Sequence, residues 1–264
     1  MTVQELHYDF KLKLDKVDSQ QKRNLKDWEV DWFLNDAIQV FLNQVVGGNN
    51  IRLTGFEGEQ RRIDDVRTLV IKSPSSLQPG LTPLTINSNL YELPLANLGI
   101  DPVTNTKRFD YYQLIRLRVD ISKTGCSNKN IGVTQVQHDD LDEALLSPFN
   151  RPSFVWGDVL TVYGASTDGS DEGSLFFYTD DFSVISVYPE YIKRPNRVWV
   201  GTYNSLDNKY IIGVNPPPPQ TTVECDLPET THPRIVDLAV DIATGVIQSP
   251  NMLQYTQMKL KLNE

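Results

Sequence analysis

The sequence has little of what an active site needs. Its 264 residues hold only two cysteines and three histidines. Cys126 and Cys225 are far apart and in no Cys-x-x-Cys, so two reduced thiols are expected, with a single disulfide as the alternative. His7, His138 and His232 fall in three separate regions, and no pair has metal-ligand spacing. The chain carries no phosphate loop of the Gly-x-x-x-x-Gly-Lys-Ser/Thr type and no dinucleotide fingerprint after a strand. Gly-x-Ser-x-Gly and His-Glu-x-x-His are missing too. No cofactor or metal is therefore expected, and an enzyme is disfavoured, although catalytic groups can converge from distant segments.

Long apolar runs are also lacking. None approaches the roughly 20 residues that span a bilayer. No basic start leads into an apolar stretch, so no secretory signal and no membrane partner are expected. Positive charge is short: 25 Lys and Arg face 34 Asp and Glu, a formal charge of −9. Such a chain repels phosphate and is ill suited to sequence-specific DNA binding. A wall past which DNA slides without sticking remains compatible with that sign.

What is present is a pattern of helices at both ends and strands between. Thr2 and Glu5 have capping-box spacing. Leu6, Phe10, Leu14 and Val17 then fall on one helical face. A stronger helix follows Asp27, its expected cap, with Val30, Phe33, Leu34, Ala37, Ile38, Phe41, Leu42 and Val45 in register. Gly47 and Gly48 stop it, since glycine readily takes the left-handed conformation that ends helices. Glu59–Val66 reads as a short helix and Thr68–Lys72 as a strand. Near the far end, His232-Pro233 marks a helix start, with Ile235, Leu238, Ala239, Ile242, Val246 and Ile247 as its stripe. Ser249-Pro250 opens a last helix.

The middle reads differently. Residues 73–89, rich in Pro, Ser and Asn, read as loop. Short β-like runs follow at Tyr91–Leu95, Phe109–Ile121, Ile131–Gln137, Phe154–Tyr163, Ser174–Thr179, Val184–Tyr191 and Val198–Tyr203. Asp139–Leu146 interrupts them as a short helix with an acidic first turn. Pro216, Pro217, Pro218 and Pro219 form a stiff extended spacer. The fold class expected is α+β: N- and C-terminal helices making a helical bundle, with an inserted antiparallel β sandwich or barrel. The helical part is drawn at 1–72 and 220–264 and the insertion at 73–219.

Three clusters have a functional reading beside a plain one. Asp139, Asp140, Asp142 and Glu143 could do acid–base work or hold a divalent cation, and an enzyme would need Asp139, Asp142 or Asp180 to converge with a His or Arg in a cleft, but a solvated helix start explains them. Asp168, Asp171 and Glu172 lie in a Gly- and Ser-rich stretch without calcium-loop spacing, and a hairpin tip explains them. Tyr111, Tyr112, Phe176–Tyr178, Tyr188 and Tyr191 could form a glycan platform, but core and cross-strand pairs explain them.

Lys13–Gln44 resembles the opening of ring or adaptor proteins of crAss-like bacteriophages. It carries a Lys-Leu, Asp-Ser, Arg-Asn-Leu pattern and then Val30, Asp31, Trp32, Leu34 and Asn35. Gly55–Val70 carries a similar Arg-rich, Asp-Asp run. Tyr191–Asn204 and Glu224–Tyr255 resemble the far end, with Leu-Pro, His-Pro, Ile-Val-Asp-Leu-Ala-Val and Ser-Pro in order. One departure is Asp27-Trp28, where the family pattern has Val-Pro. The layout is similar to the tail tubular or head–tail adaptor subunits of short-tailed phages.

The resemblance implies a virion structural protein, a head–tail connector subunit that links portal to tail. Its partners would be copies of itself in a ring of twelve, the portal, other ring and tail proteins, and genomic DNA passing through the lumen. It would be assembled in the host cytoplasm. Trp28, Asp31, Trp32 and Asn35 are the expected helix anchors, with an intramolecular core the alternative for the tryptophans. Pro216 to Pro219 would be an intersubunit arm. A competing reading makes the β insertion a tail-associated module that recognises a partner protein or a host glycan.

Overall fold

A computed structural model describes residues 1–15, 25–47, 60–73, 81–95, 98, 110–167, 173–201 and 222–247. The helices among them are α1 (Val3–Asp15), α2 (Asp27–Val45), α3 (Gln60–Val66), α4 (Leu141–Leu146) and α5 (His232–Ile247). The strands are β1 (Val70–Ile71), β2 (Leu84–Asn87), β3 (Leu90–Pro94), β4 (Tyr111–Ser122), β5 (Lys129–Gly132), β6 (Thr134–Gln135), β7 (Leu160–Gly164), β8 (Ser174–Tyr178) and β9 (Ser183–Lys193). The chain divides into two units, Met1–Leu69 with Pro195–Glu264, and Val70–Arg194. By this division residues 195–201 go with the helices, whereas the sequence pattern puts them in the insertion.

The first unit begins as its sequence dictates. Thr2 and Glu5 close the capping box: the Thr2 amide donates to Glu5 Oε2 at 2.8 Å, and the Glu5 amide to Thr2 Oγ1 at 3.3 Å. Val3, Leu6, Phe10 and Leu14 are buried along one face of α1. In α2 the cap differs from expectation. Lys26 is the capping residue, with extended backbone, and its amide donates to Glu29 Oε2 at 2.8 Å. Asp27 is already helical, and its carboxylate instead accepts from Lys11 Nζ on α1 at 2.8 Å. The end of α2 also differs. Gly47 is not left-handed; what it lacks is room, since a Cβ there would stand 2.9 Å from the Asn43 carbonyl oxygen. Gly48, Val17 and the Ser249-Pro250 helix lie outside the described residues.

Helix α5 lies against both α1 and α2. This explains why its buried set is wider than one stripe: Val236, Asp237, Val240 and Thr244 are buried beside Ile235, Leu238 and Ala239, while Val246 is exposed. A helix flanked on two sides loses its polar face. Asp237 is held there by Lys13 of α1 at 3.1 Å. Arg234 reaches α2, over the Phe41 ring and to Gln44 Oε1 at 3.3 Å.

The second unit holds two sheets, ordered β1-β9-β4-β5 and β2-β3-β8-β7-β6. Leu117, Val119, Ile121, Val187 and Tyr191 of the first share one core with Tyr91, Leu93, Leu175 and Phe177 of the second. The architecture is thus α+β, and this unit fits a sandwich. One pair departs from the antiparallel expectation: β6 and β7 are parallel. The sheets connect at two corners. At one, β5 runs through Val133 into β6. At the other, Leu81 bridges to Val187 of β9 just before β2 begins.

Three sequence expectations change in the strands. Residues 84–87, read as loop, form β2. Phe154–Tyr163, read as one strand, is a turn followed by β7: Gly157 has a φ of 75°, and its amide donates to the Ser153 carbonyl at 2.9 Å. Val198–Tyr203 contributes, within its described part, only the bridge of Trp199 to Val223.

Candidate functional site

The expected anchors on α2 separate into inward and outward groups. Asp31 is buried and spends its carboxylate inside the unit. Its Oδ1 accepts from His7 Nε2 at 2.6 Å, and its Oδ2 from the Val200 amide at 3.2 Å. A carboxylate only accepts, so the histidine carries the proton on Nε2. Asn35, one turn on, takes both backbone groups of Val198: Oδ1 accepts from the amide at 2.8 Å and Nδ2 donates to the carbonyl at 2.9 Å. Two consecutive turns of α2 thereby pin the segment at Val198–Val200, whose middle residue Trp199 also bridges to Val223.

Trp32 faces the other way. It is 57% exposed, and its ring meets Phe33 edge-on at 5.2 Å. Phe33 in turn stacks on Phe10 of α1 at 6.1 Å. Tyr8 and Leu12, one turn apart on α1, are exposed as well. Trp28 is half-buried, and its indole N–H is out of water with no acceptor among the described residues. Pro216 to Pro219 lie outside the described residues.

The second unit carries a feature the sequence reading missed. Between α4 and β7 the chain exposes Leu146, Phe149, Val155 and Trp156. Large exposed apolar side chains within one short segment are candidate contact residues. Their support is fixed. The Ser147 and Arg151 amides continue the turns after α4, at 3.0 and 3.1 Å. Ser153 and Asp158 bridge across the next turn. Lys129 Nζ sits 4.6 Å from the Phe154 ring centroid and donates to the Phe154 carbonyl at 2.9 Å. Phe149 overhangs an open depression of about 430 Å³ whose ionisable lining is Asp140, Glu143 and Asp158. No histidine, lysine or arginine lines it, and no group of His, Cys, Asp and Glu fit to hold a metal exists among the described residues.

Of the aromatics considered as a glycan platform, two belong to the core and the other five, Tyr111, Tyr112, Phe176, Tyr178 and Tyr188, are half-buried. Phe177 and Tyr191 are buried. Tyr191 donates to Asp110 at 2.8 Å, Tyr188 to Asp120 at 2.6 Å, and the Tyr111 and Tyr163 hydroxyls meet at 2.9 Å. Burial, then the neighbouring Asp110 charge, holds the Tyr191 hydroxyl protonated well above the usual range. A buried carboxylate of the second unit, Glu92 of β3, accepts from the Ser174 hydroxyl at 2.6 Å, the Thr167 amide at 2.9 Å, the Ser166 hydroxyl at 3.2 Å and the Thr167 hydroxyl. Burial pushes its carboxyl up, but these bonds outweigh it and the net shift is down. Such a knot ties β3 to the connection after β7.

The features described so far are internal ties and exposed apolar side chains. The family model for phage tail ring protein 3/4 of crAss-like phages matches residues 1–252. The chain belongs to this ring protein family. No curated protein matches it. Membership makes it a virion structural protein of a phage tail, one that associates into a ring. No helix among the described residues is long and apolar enough to cross a membrane. For a ring protein, exposed apolar side chains on a fixed frame are the surfaces of interest, and ties such as Asp31–His7 are what hold the frame.

Proposed function

We propose that this chain is a head–tail connector subunit, joining the portal to the tail and lining the path of the genome. The observation that carries the reading is the ring protein family match over residues 1–252. Twelve copies would surround the axis, and assembly would take place in the host cytoplasm. The role is mechanical and not catalytic.

The two units suit a division of labour. In this reading α1, α2 and α5 form the terminal helical bundle, and the β-rich insertion reaches to neighbours. Asp31 and Asn35 set the pose of α2, Trp32 contacts an adjoining protein, and Pro216 to Pro219 form an arm between subunits. The net charge of −9 favours a lumen that DNA traverses without adhering.

Mass measurement and negative-stain microscopy of the purified chain, alone and mixed with portal particles, test this. Closed rings of twelve that bind portal particles are expected. A chain that stays monomeric and fails to bind them would sink the connector reading.

A further inference from the structure

The geometry points to a head-to-tail contact between copies of this chain, in which Phe149 and Trp156 of one copy seat against the β2 edge of the next. This deepens the ring reading and rests on it.

The donor surface is large and pre-set. Phe149 is 89% and Trp156 83% exposed. Two aromatic side chains of this kind offer roughly 400 Å², about half of what one partner gives to a standard interface. The turn hydrogen bonds at Ser153, the left-handed Gly157 and the Lys129 grip on Phe154 fix the backbone beneath them. Little ordering cost is left for association.

The acceptor lies at the far side of the same sandwich. In the order β2-β3-β8-β7-β6 the edges are β2 and β6. The Phe149 side adjoins β6, since Thr134 and Leu160 line the depression under Phe149. At the opposite edge all four residues of β2 are exposed, Leu84 at 53% and Ile86 at 41%. Among the described residues β2 pairs only with β3. Its sequence, Leu-Thr-Ile-Asn, contains neither the charge nor the proline that usually blunts an edge. It also brings no like charge to the acidic rim of Asp140, Glu143 and Asp158.

Ring closure selects this pairing over the alternatives. A surface that pairs with itself stops at a dimer, while two different surfaces on opposite sides propagate until the rotation closes. Two such surfaces are present here, Phe149 beside the β6 edge and β2 at the opposite edge of the same sheet.

The test uses two double variants of the full chain and sedimentation velocity. One carries Phe149→Asp with Trp156→Asp, the other Leu84→Asp with Ile86→Asp. All four side chains are exposed, so circular dichroism and the unfolding midpoint should stay at wild-type values. A variant that fails this control is replaced by the milder serine or threonine pair. Each variant alone should lose its oligomers, with self-association weakened at least ~30-fold. Mixed in equal amounts, the two should form a heterodimer and nothing larger, because only one intact platform then faces one intact edge. Wild-type-sized rings from either variant overturn the contact and leave the ring reading standing. A homodimer of the edge variant overturns the head-to-tail arrangement. A wild type that forms no ring, alone or on purified tail particles, removes the ring reading and this contact with it.

Discussion

Asp31 Oδ1 stands 2.6 Å from His7 Nε2, joining α2 to α1 through a pair that is almost wholly out of water. The other oxygen of the same carboxylate holds the Val200 amide. Three segments, distant in sequence, converge on one side chain. Asp31→Ala leaves a buried imidazole and a buried amide without their acceptor. The expected loss is about 3–5 kcal/mol in the first unit. Urea unfolding followed by tryptophan fluorescence checks it. Asn35→Ala should cost about 1–3 kcal/mol at the neighbouring turn, and the double variant should cost less than the sum, since both tie down Val198–Val200.

Glu92 should make the second unit sensitive to acid. Its folded pKa is lowered, the four hydrogen bonds outweighing burial. Its contribution is complete above the ordinary value of 4.5 and is lost as the pH falls through the lowered folded value. Glu92→Gln should remove that slope and cost about 2–3 kcal/mol near neutrality. Unfolding midpoints of both proteins from pH 7 to pH 3 decide the matter: equal slopes would exclude this role.

His232 should titrate with the same sign in a higher window. Burial, the largest cause, lowers its pKa below the ordinary 6.5, and the N-terminal ammonium adds to this. The Leu227 carbonyl, Glu229 and Glu224 pull the other way and do not cancel it. Nε2 donates to the Leu227 carbonyl at 3.0 Å, while Nδ1 is buried without a partner among the described residues. Protonation therefore penalises the folded state. The stability is present above pH 6.5 and is lost as the pH falls through the folded value. His232→Gln should flatten the wild-type difference in unfolding midpoint between pH 7.5 and pH 5.

The two thiols should react very differently. Both are free; Cys126 is exposed, whereas burial pushes the Cys225 thiol up to about 11. Only the thiolate reacts. Iodoacetamide at pH 8 should add one group to the native protein, at Cys126, and a second only in denaturant. Intact and peptide mass spectrometry reads both. Prompt labelling of Cys225 in native protein would contradict its burial.

How much of this was legible in the sequence depends on how local the cause is. The capping box at Thr2 and Glu5, the α2 stripe and the His232-Pro233 start are set by residues within a turn or two, and they appear where the pattern places them. The partner of Asp31 is 24 residues away and that of Asn35 is 163 away, so no spacing rule reveals either. Strand β2 escaped because its residues are exposed on both faces, which erases the alternation that betrays a half-buried strand. Phe154–Tyr163 misled for the opposite reason: its apolar spacing imitates a strand, while Gly157 turns the chain. Phe149 and Trp156 gave no signal at all, because an exposed aromatic looks in sequence like a buried one.

The two ends of the insertion meet. Val70 pairs with Ile192 and Ile71 with Tyr191, so β1 leaves and β9 returns side by side. Once that ladder forms, the whole stretch Val70–Arg194 becomes, for the rest of the chain, a link of a few residues. Replacing the full insertion by that link shortens the connection between α2 and α5 to about a third and spares about 1 kcal/mol of chain entropy when α5 is brought to α2. The β1–β9 ladder thus acts on the helical part of the chain as an internal staple, much as a covalent cross-link between Val70 and Ile192 would.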